Sequence, residues 1–462
     1  MYIIHINDIH GFIKEEENAI GYAKIAGFIE QFKKEHPDTL VLDAGDAFNG
    51  SCYASFDNGE SVLKILNTMG LDAFCAGNAD FGLGPEQLNK LAAKANFALL
   101  GGNIFYTGGG SVLPATTIVT LPSGLRVGVI GLTFPRIGSE DGLFSPVTAE
   151  FARELVTTLK PQVDIIAGLF HLGDTPADMG NSLDIARAVP EFDIIIDGHS
   201  HTFLPEGRVE NGVFIAQAGE YSKCIGLVEL NKSNGVVKAS ARLLGAEDLR
   251  DVTVKPETDA CIKQVCDTCE PFFNEVLGQS LTRLNGVRAE LRIGETNLGS
   301  MFAEAMREKT GAEIGLTIAG AIGGNLAPGP VTRQDMLNMV RVGGVVIKQR
   351  VSGAELVKAL ETSASSYPAP TGAFLQVGGV TFTINAAKPA GQRIENVKVN
   401  GENVKIDASY SIAILDFMRK FPGFNKGVIE ASFGTITELL EWYITTHSPL
   451  NPVVDGRINI KQ

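Results

Sequence analysis

Short β-branched runs alternate with stretches of helical periodicity along the first half of the chain. Tyr2-Ile3-Ile4-His5-Ile6 opens as a strand, and Thr39–Leu42, Val163–Ala167 and Asp193–Ile196 have the apolar character of buried strands. Between them, Ile20–Phe32 and Ala149–Leu159 place apolar residues on one helical face. This alternation predicts an α/β core with helices on the sheet faces. Ser123-Gly124 and Asn234-Gly235 sit between apolar runs and predict hairpins. Residues 246–278 turn polar and then helical, over Asp259–Phe272, and read as a linker plus bridging helix. From Gln279 the texture changes. Strands at Glu313–Thr317, Val345–Val351 and Val380–Ile384 mix with helices at Thr296–Lys309 and Glu430–Thr445, which predicts a separate α+β domain. The expected organisation is therefore 1–245, a 246–278 connection, and 279–462.

Composition narrows the function. With 39 basic against 53 acidic side chains the formal charge is -14, which excludes a nucleic-acid polymer as partner because phosphate backbones need a basic surface. A small anionic substrate stays open, since a few local arginines or metal ions override the global field. No apolar run approaches the ~18 residues of a membrane span. The chain opens directly on a strand, without a basic and apolar leader, which predicts a cytoplasmic protein if this is the natural start. A removed leader would make it periplasmic or extracellular. The six cysteines are ordinary usage for this length. Cys266-Asp-Thr-Cys269 has CxxC spacing, which fits a redox pair, half a zinc site, or two helical cysteines one turn apart. His5, inside the first strand, reads as a core histidine.

Four further histidines of the first half, all but His36 at a helix end, fall with carboxylates just after the apolar runs. Asp8 and His10 follow the first strand, Asp46 the second, and Asn78 the strand near Asp72–Cys75. His171 follows Ile165–Phe170, and His199 and His201 follow Ile194–Asp197. Ligands of open α/β sheets collect outside the carboxyl ends of the strands, so these segments are expected to point into one crevice. Such oxygen and imidazole donors suit Mn, Zn, Fe or Co. Seven are too many for one ion with an open position. They suit two ions about 3.5–4 Å apart with one carboxylate between them. Glycines precede Asp46, Asn78 and His199 and let the backbone turn sharply there. Asp43, on its strand, falls outside the set.

On these segments the chain resembles the 5′-nucleotidase family, which joins a calcineurin-like metallophosphoesterase domain to a nucleotide-binding C-terminal domain. IIHINDIHG, LDAGDAFNG, GNADFG, LFHLGD and IIIDGHSHT match five family motifs in order, and RIGETNLGSMFAEAM and FLQVGGVTFTIN match two more. The resemblance spans nearly all of residues 2–445. It implies an N-terminal α/β sandwich and a C-terminal α+β substrate-binding domain. It implies that Asp8, His10 and His201 bind one metal, that Asn78, His171 and His199 bind the other, and that Asp46 bridges them. Two such metals lower the pKa of a shared water and clamp phosphoryl oxygens, so that in-line attack on phosphorus expels an alcohol. Asp46 and Asn78 are then the catalytic residues. Arg288 and Arg292 stand where the family binds the substrate phosphate, and Phe417 where one aromatic stacks on the base. Rotation of the domains is implied as the step that joins the two halves of the site.

The chain also departs from the family pattern. Active members read GNHEFD where this chain reads Gly77-Asn78-Ala79-Asp80-Phe81-Gly82. Ala79 replaces the histidine that assists the leaving group, and Gly82 the aspartate that orients it. Such acid help is worth about 10²–10⁴-fold. Asp80 reads either as a substitute acid or as a loop carboxylate. The arginine of the NAGGIR loop is Gly323, and the PFGN motif reads Arg341-Val342-Gly343-Gly344, where Val342 offers no π face. The expected function is a binuclear metal-dependent phosphoesterase acting on a small phosphorylated substrate, of which a nucleotide is one candidate, with altered acid catalysis and nucleoside recognition. The alternative is a catalytically weak or inactive relative that binds a phosphorylated ligand or a partner.

Overall fold

The computed structural model describes residues 1–134, 143–145, 149–175, 180–233 and 235–461. They divide into two compact units, Met1–Cys269 and Glu270–Gln462, and the division falls inside the helix Pro256–Phe273. Cys266 and Cys269 are both buried on that helix.

The first unit contains two six-stranded sheets. One runs in the order Val236–Gly245, Cys224–Ser233, Tyr2–Ile6, Thr39–Asp43, Ala73–Cys75, Ala98–Leu100. The other runs Arg208–Glu210, Val213–Ala216, Ile194–Ile196, Ile165–His171, Arg126–Thr133, Thr116–Thr120. A single apolar cluster holds Ile3, Leu40 and Leu42 of the first sheet with Val127, Ala167 and Ile196 of the second, so the sheets pack face to face. Outside the second sheet, Phe170, Ile195 and Ile215 pack with Ala152, Val156 and Leu159 of the helix Ala149–Leu159. Strands covered on both faces must be apolar throughout, which is why they read as continuous runs.

The central strands are parallel. Tyr2–Ile6 pairs in register with Thr39–Asp43, Leu42 with Ala73, Val127–Thr133 with Ile165–His171, and Ile194 with Ala167. Their carboxyl ends therefore share one edge of each sheet. Cys224–Ser233 and Val236–Gly245 form the expected hairpin; Asn234 lies outside the described residues. His5 is buried opposite Gly226 of the neighbouring strand, and neither ring nitrogen has a hydrogen-bond partner. Burial pushes its pKa down to about 3, so the ring is neutral.

The second unit has a five-stranded sheet in the order Leu375–Gly378, Ile314–Ile318, Ser409–Leu415, Val345–Ser352, Val428–Thr435. A four-stranded sheet runs Glu402–Asn403, Ile394–Val399, Val380–Asn385, Ile458–Lys461. The helices Asn297–Thr310, Gly353–Ser363 and Ile436–His447 share its core. The helix expected over Glu430–Thr445 starts later. Val428–Thr435 pairs as a strand with Val345–Ser352, and Thr435 caps the helix through a reciprocal box with Glu438. The 246–278 segment also contains the start of a strand, Val276–Ser280, which pairs with Gly329–Thr332. Its brevity hid it in the sequence. Among the described residues no helix is long and apolar enough to cross a membrane.

Candidate metal centre

Each of the seven candidate ligands follows or ends a strand of the first unit, and the structure brings all seven together. His201 Nε2 lies 3.3 Å from Asp8 Oδ1 and 3.4 Å from His10 Nε2. His171 Nε2 lies 3.3 Å from Asp46 Oδ2 and 3.2 Å from Asn78 Oδ1, and His199 Nδ1 lies 2.7 Å from the same Asn78 oxygen. Asp46 Oδ2 faces both groups, being also 3.8 Å from His10 Nε2. Asp8 does the same, with its Oδ1 3.9 Å from His171 Nε2. Donors held at about 2.0–2.2 Å from one ion stand roughly 3.0–3.5 Å apart in tetrahedral or octahedral geometry. Two clusters meet the spacing of a cation site, Asp8-His10-His201 and Asp8-Asp46-His171.

The backbone is bent to deliver these groups. Asp8, His10, Asp46, His199 and His201 all have positive φ, between 52° and 77°. Few non-glycine residues adopt this left-handed region, Asp and His more readily than most, and five in one site need surroundings that hold them there. Buried carboxylates supply that constraint. Asp80 is fully buried and accepts N–H bonds from Asp46, Ala47, Phe48 and Gly77 at 2.7–3.0 Å, so it ties the Asp46 loop to the Asn78 loop. Both its oxygens are engaged by backbone, which is the loop role rather than the acid role. Burial, then the Asp46 charge, pushes its pKa up to about 7. Asp197 does the same for the histidine loops, accepting from Leu172, Gly173 and Gly198 N–H. Asp43, on its strand, accepts from the Gly45 N–H at 3.0 Å.

Two of the glycines serve a different purpose from the turn expected of them. Gly45 has φ +94°, but Gly77 and Gly198 have no positive φ. They are close approaches. A Cβ on residue 77 would lie 2.1 Å from Asp46 Oδ1 and 2.7 Å from His171 Cε1. One on residue 198 would lie 2.8 Å from His171 Nδ1 and 3.0 Å from Asp8 Oδ2.

Hydrogen bonds behind the imidazoles set which nitrogen faces inward. His10 Nδ1 is 3.1 Å from Asn49 O and His171 Nδ1 is 2.6 Å from Ala44 O. A carbonyl only accepts, so each Nδ1 is assigned the proton and each Nε2 keeps its lone pair. His201 Nδ1 meets Glu220 Oε2 at 2.6 Å, and Glu220 Oε1 takes Lys223 Nζ at 2.7 Å. Asp8 Oδ2 accepts from Asn7 Nδ2 at 2.8 Å and from the His199 N–H at 3.0 Å. Phe134 stacks on His199, with ring centroids 4.2 Å apart. Glu220, Asn7 and Phe134 were not singled out in the sequence. Asn7 adjoins Asp8 and could have been; Phe134 and Glu220 follow the strands Arg126–Thr133 and Val213–Ala216, but neither residue type marks a metal ligand there.

The electrostatics call for a cation. Asp8 and Asp46 are buried together with little positive charge nearby. Burial disfavours a protonated His171, yet the Asp46 and Asp8 carboxylates outweigh it and raise its pKa to about 10. Burial raises the Asp46 carboxyl, but His171 and His10 more than offset it and hold it well below the ordinary carboxylate range. A divalent cation supplies the same charge without a proton, so the donor set fits a metal, and proton and metal compete for it.

In the second unit, Arg288 opens the one-turn helix Arg288–Leu291 and is exposed, while Arg292 caps it and is half-buried. Phe417 lies half-buried in the turn Asp416–Lys420 and packs against the core. Val342 is exposed.

Residues 1–203 match the calcineurin-like phosphoesterase family, and residues 276–425 match the 5′-nucleotidase C-terminal domain. The chain belongs to the 5′-nucleotidase family of calcineurin-like phosphoesterases and is a hydrolase of the metallophosphoesterase type. It is 26% identical to the 5′-nucleotidase of Vibrio cholerae over 97% of this chain and 91% of that one. It is 27% identical to the trifunctional nucleotide phosphoesterase protein of Bacillus subtilis over 99% of this chain, but spans only 34% of that protein's length. The crystal structure of a 5′-nucleotidase precursor from Thermus thermophilus superposes with a TM-score of 0.75 at 24% identity, covering 100% of this chain and 99% of that one. Calcineurin-like phosphoesterases use divalent metals.

Proposed function

We propose that this chain is a two-metal phosphoesterase for small phosphorylated substrates with stabilised leaving groups. The observation that carries the reading is the convergence of seven donor side chains, five of them on positive-φ backbone, with Asp46 facing both groups. Asp8, His10 and His201 would hold one divalent ion and Asn78, His171 and His199 the other, from among Mn, Zn, Fe and Co. When bound, the pair supplies an acidified water and charge against the phosphoryl oxygens. Asp46 and Asn78 align the two halves, and Asn7 and Glu220 fix the orientation of Asp8 and His201. Ala79 offers no proton at the position beside Asn78, and the Asp80 oxygens are occupied by backbone N–H groups. A leaving group must therefore depart without acid help from this loop. Arg288, Arg292 and Phe417 are assigned to the rest of the substrate, for which the nucleotide chemistry of the named relatives is the first candidate.

The test is a Mn²⁺-supplemented comparison of p-nitrophenyl phosphate with AMP, with metal content measured on the same preparation. The reading expects about two metals per chain and a kcat/KM for the aryl ester at least 10²-fold above that for AMP. Equal turnover of the two would refute the role given to Ala79. The replacements at Ala79 and Gly82 also favour a second reading, a phosphate-binding protein without turnover, and two metals with no hydrolysis of any ester would select it.

A further inference from the structure

Behind the turn that carries His199 and His201 lies a set of hydrogen bonds with no part so far in the chemistry of the centre. Its members are Ser200 and Thr202 of the turn, Asp174 after the strand Ile165–His171, and Gln217 after the strand Val213–Ala216. Asp174 and Gln217 are buried, and Ser200 and Thr202 half-buried. Asp174 Oδ1 accepts from Thr202 Oγ1 at 2.6 Å and from Ser200 Oγ at 2.8 Å. Gln217 Oε1 accepts from the Thr202 N–H at 2.6 Å, and Gln217 Nε2 donates to Ser200 Oγ at 3.0 Å. A backbone N–H only donates, so the bond from Thr202 fixes which end of the amide is oxygen. The Asp174 N–H also reaches Ser200 Oγ, at 3.3 Å. With both hydroxyls donating to Asp174, one placement of protons satisfies all five bonds.

The turn pinned in this way serves both halves of the centre. His199 Nδ1 faces Asn78 Oδ1 at 2.7 Å, and His201 Nε2 faces Asp8 Oδ1 at 3.3 Å. Both histidines have positive φ, 77° and 56°, a backbone state that relaxes unless its surroundings hold it. Ser200 lies between them and Thr202 directly after, so the clamp grips the turn at positions that carry no ligand. The same frame reaches Asp8. Asn7 Oδ1 accepts from the Ala218 N–H, beside Gln217, at 2.9 Å, and Asn7 Nδ2 donates to Asp8 Oδ2 at 2.8 Å.

We infer that Asp174 and Gln217 are positioning residues that fix the separation of the two half-sites by holding the turn between them rigid. The inference rests on the two-metal reading above and names the part of the chain that sets the working distance. Chemistry shared by two ions needs them about 3.5–4 Å apart. One ligand of each ion rides on this single turn, so any slack in it passes directly into that distance. Functional groups have to be held within roughly 0.5 Å of the productive geometry, which is the task of buried hydrogen bonds behind them. Removing such support typically costs about 10–100-fold in metal affinity or activity.

The test is electron paramagnetic resonance of the full chain loaded with Mn²⁺, because two ions that share a bridging ligand give an exchange-coupled spectrum that separate ions do not. Wild type should show the coupled pair. Asp174→Ala and Gln217→Leu should lose it, and their kcat on p-nitrophenyl phosphate at saturating Mn²⁺ should fall about tenfold or more while KM stays within about threefold. Asp174→Asn keeps an acceptor oxygen for both hydroxyls and should retain the coupled spectrum and most of the rate. Asp193→Ala controls for lost stability alone. That buried carboxylate accepts from the Ile166 N–H and from Lys232 Nζ, both at 2.8 Å, at the amino end of the strand Ile194–Ile196, whereas His199 and His201 follow its carboxyl end. Its loss should lower Tm and leave the spectrum unchanged. If Asp174→Ala fails to fold, Ser200→Ala removes only the shared hydroxyl and is read in the same way. A coupled wild type with unchanged spectrum and rate in Asp174→Ala and Gln217→Leu overturns the positioning role alone, as does an Asp193→Ala spectrum altered as much as theirs. A wild type with no coupled pair overturns the two-metal reading and the spacing role with it.

Discussion

Replacing Gly77 by alanine adds one methyl group at the most crowded point of the centre. The new Cβ would lie 2.1 Å from Asp46 Oδ1 and 2.7 Å from His171 Cε1, whereas ordinary contact begins near 3.4 Å. Neither neighbour can retreat cheaply. Asp46 Oδ1 is held by the Ala79 N–H at 2.8 Å, and the His171 ring by Ala44 O at 2.6 Å. The strain must therefore open the site by roughly 1 Å, at the ~1–3 kcal/mol typical of overpacking. It also weakens the 2.8 Å bond from Gly77 N–H to Asp80. A displacement of that size at reacting groups costs about 10²-fold in rate. Gly82→Ala is the control in the same loop, since its Cβ would meet only Asn49 Nδ2 at 3.3 Å. The assay is kcat/KM on p-nitrophenyl phosphate at saturating Mn²⁺, with metal content and melting temperature measured on each variant. Gly77→Ala should lose about 10²-fold and melt several degrees lower, and Gly82→Ala should stay within about twofold. A Gly77→Ala enzyme with wild-type metal content and rate would refute the claim that this glycine makes room for Asp46 and His171.

Three further outcomes are expected. Glu220→Gln removes the carboxylate behind His201 and should weaken Mn²⁺ activation by about 10–100-fold with little change in rate at saturating metal; an unchanged activation constant would show that Glu220 does not orient the ligand. Ala79→His combined with Gly82→Asp should raise turnover of AMP more than that of p-nitrophenyl phosphate, by up to ~10²-fold, and a uniform change on both substrates would argue against missing acid help. His5, neutral when folded because its pKa is lowered to about 3, gains a proton on unfolding below about pH 6.5. Its contribution to stability is thus intact above pH 6.5 and falls by about 1.4 kcal/mol per pH unit below it. His5→Leu should therefore lose about 2 kcal/mol less than wild type between pH 6.5 and 5 in urea titrations, and parallel curves would place the ring in contact with solvent.

Much of the first unit could be read from the chain because its strands are buried on both faces. Their runs are then continuous, and whatever follows each run must lie at one sheet edge. Asp8, Asp46, Asn78, His171 and His199 are found that way, and the helix Ala149–Leu159 from its apolar stripe. Phe134 and Glu220 also follow strands, Arg126–Thr133 and Val213–Ala216, but a lone phenylalanine and a glutamate without a neighbouring histidine carry no metal-ligand signal of their own. The helix expected over Glu430–Thr445 takes in Glu430–Thr435 because these residues belong to an edge strand with mixed exposure, and the adjoining Ile436–His447 supplies the periodicity.

The seven donors of the first unit are drawn from residues 8 to 201 and from both sheets. Closing loops of that length comes late in folding, after the local pairs have formed. An ion held by this set would then enter a socket whose shape the buried Asp80 and Asp197 carboxylates already fix. Occupancy then follows the supply of ions where folding ends, because imidazole and carboxylate donors alone discriminate weakly among Mn, Fe, Co and Zn and follow the general order of divalent affinities. The metal found in a purified sample is in that sense a record of the growth medium, and the native ion has to be identified by reloading the stripped protein one metal at a time.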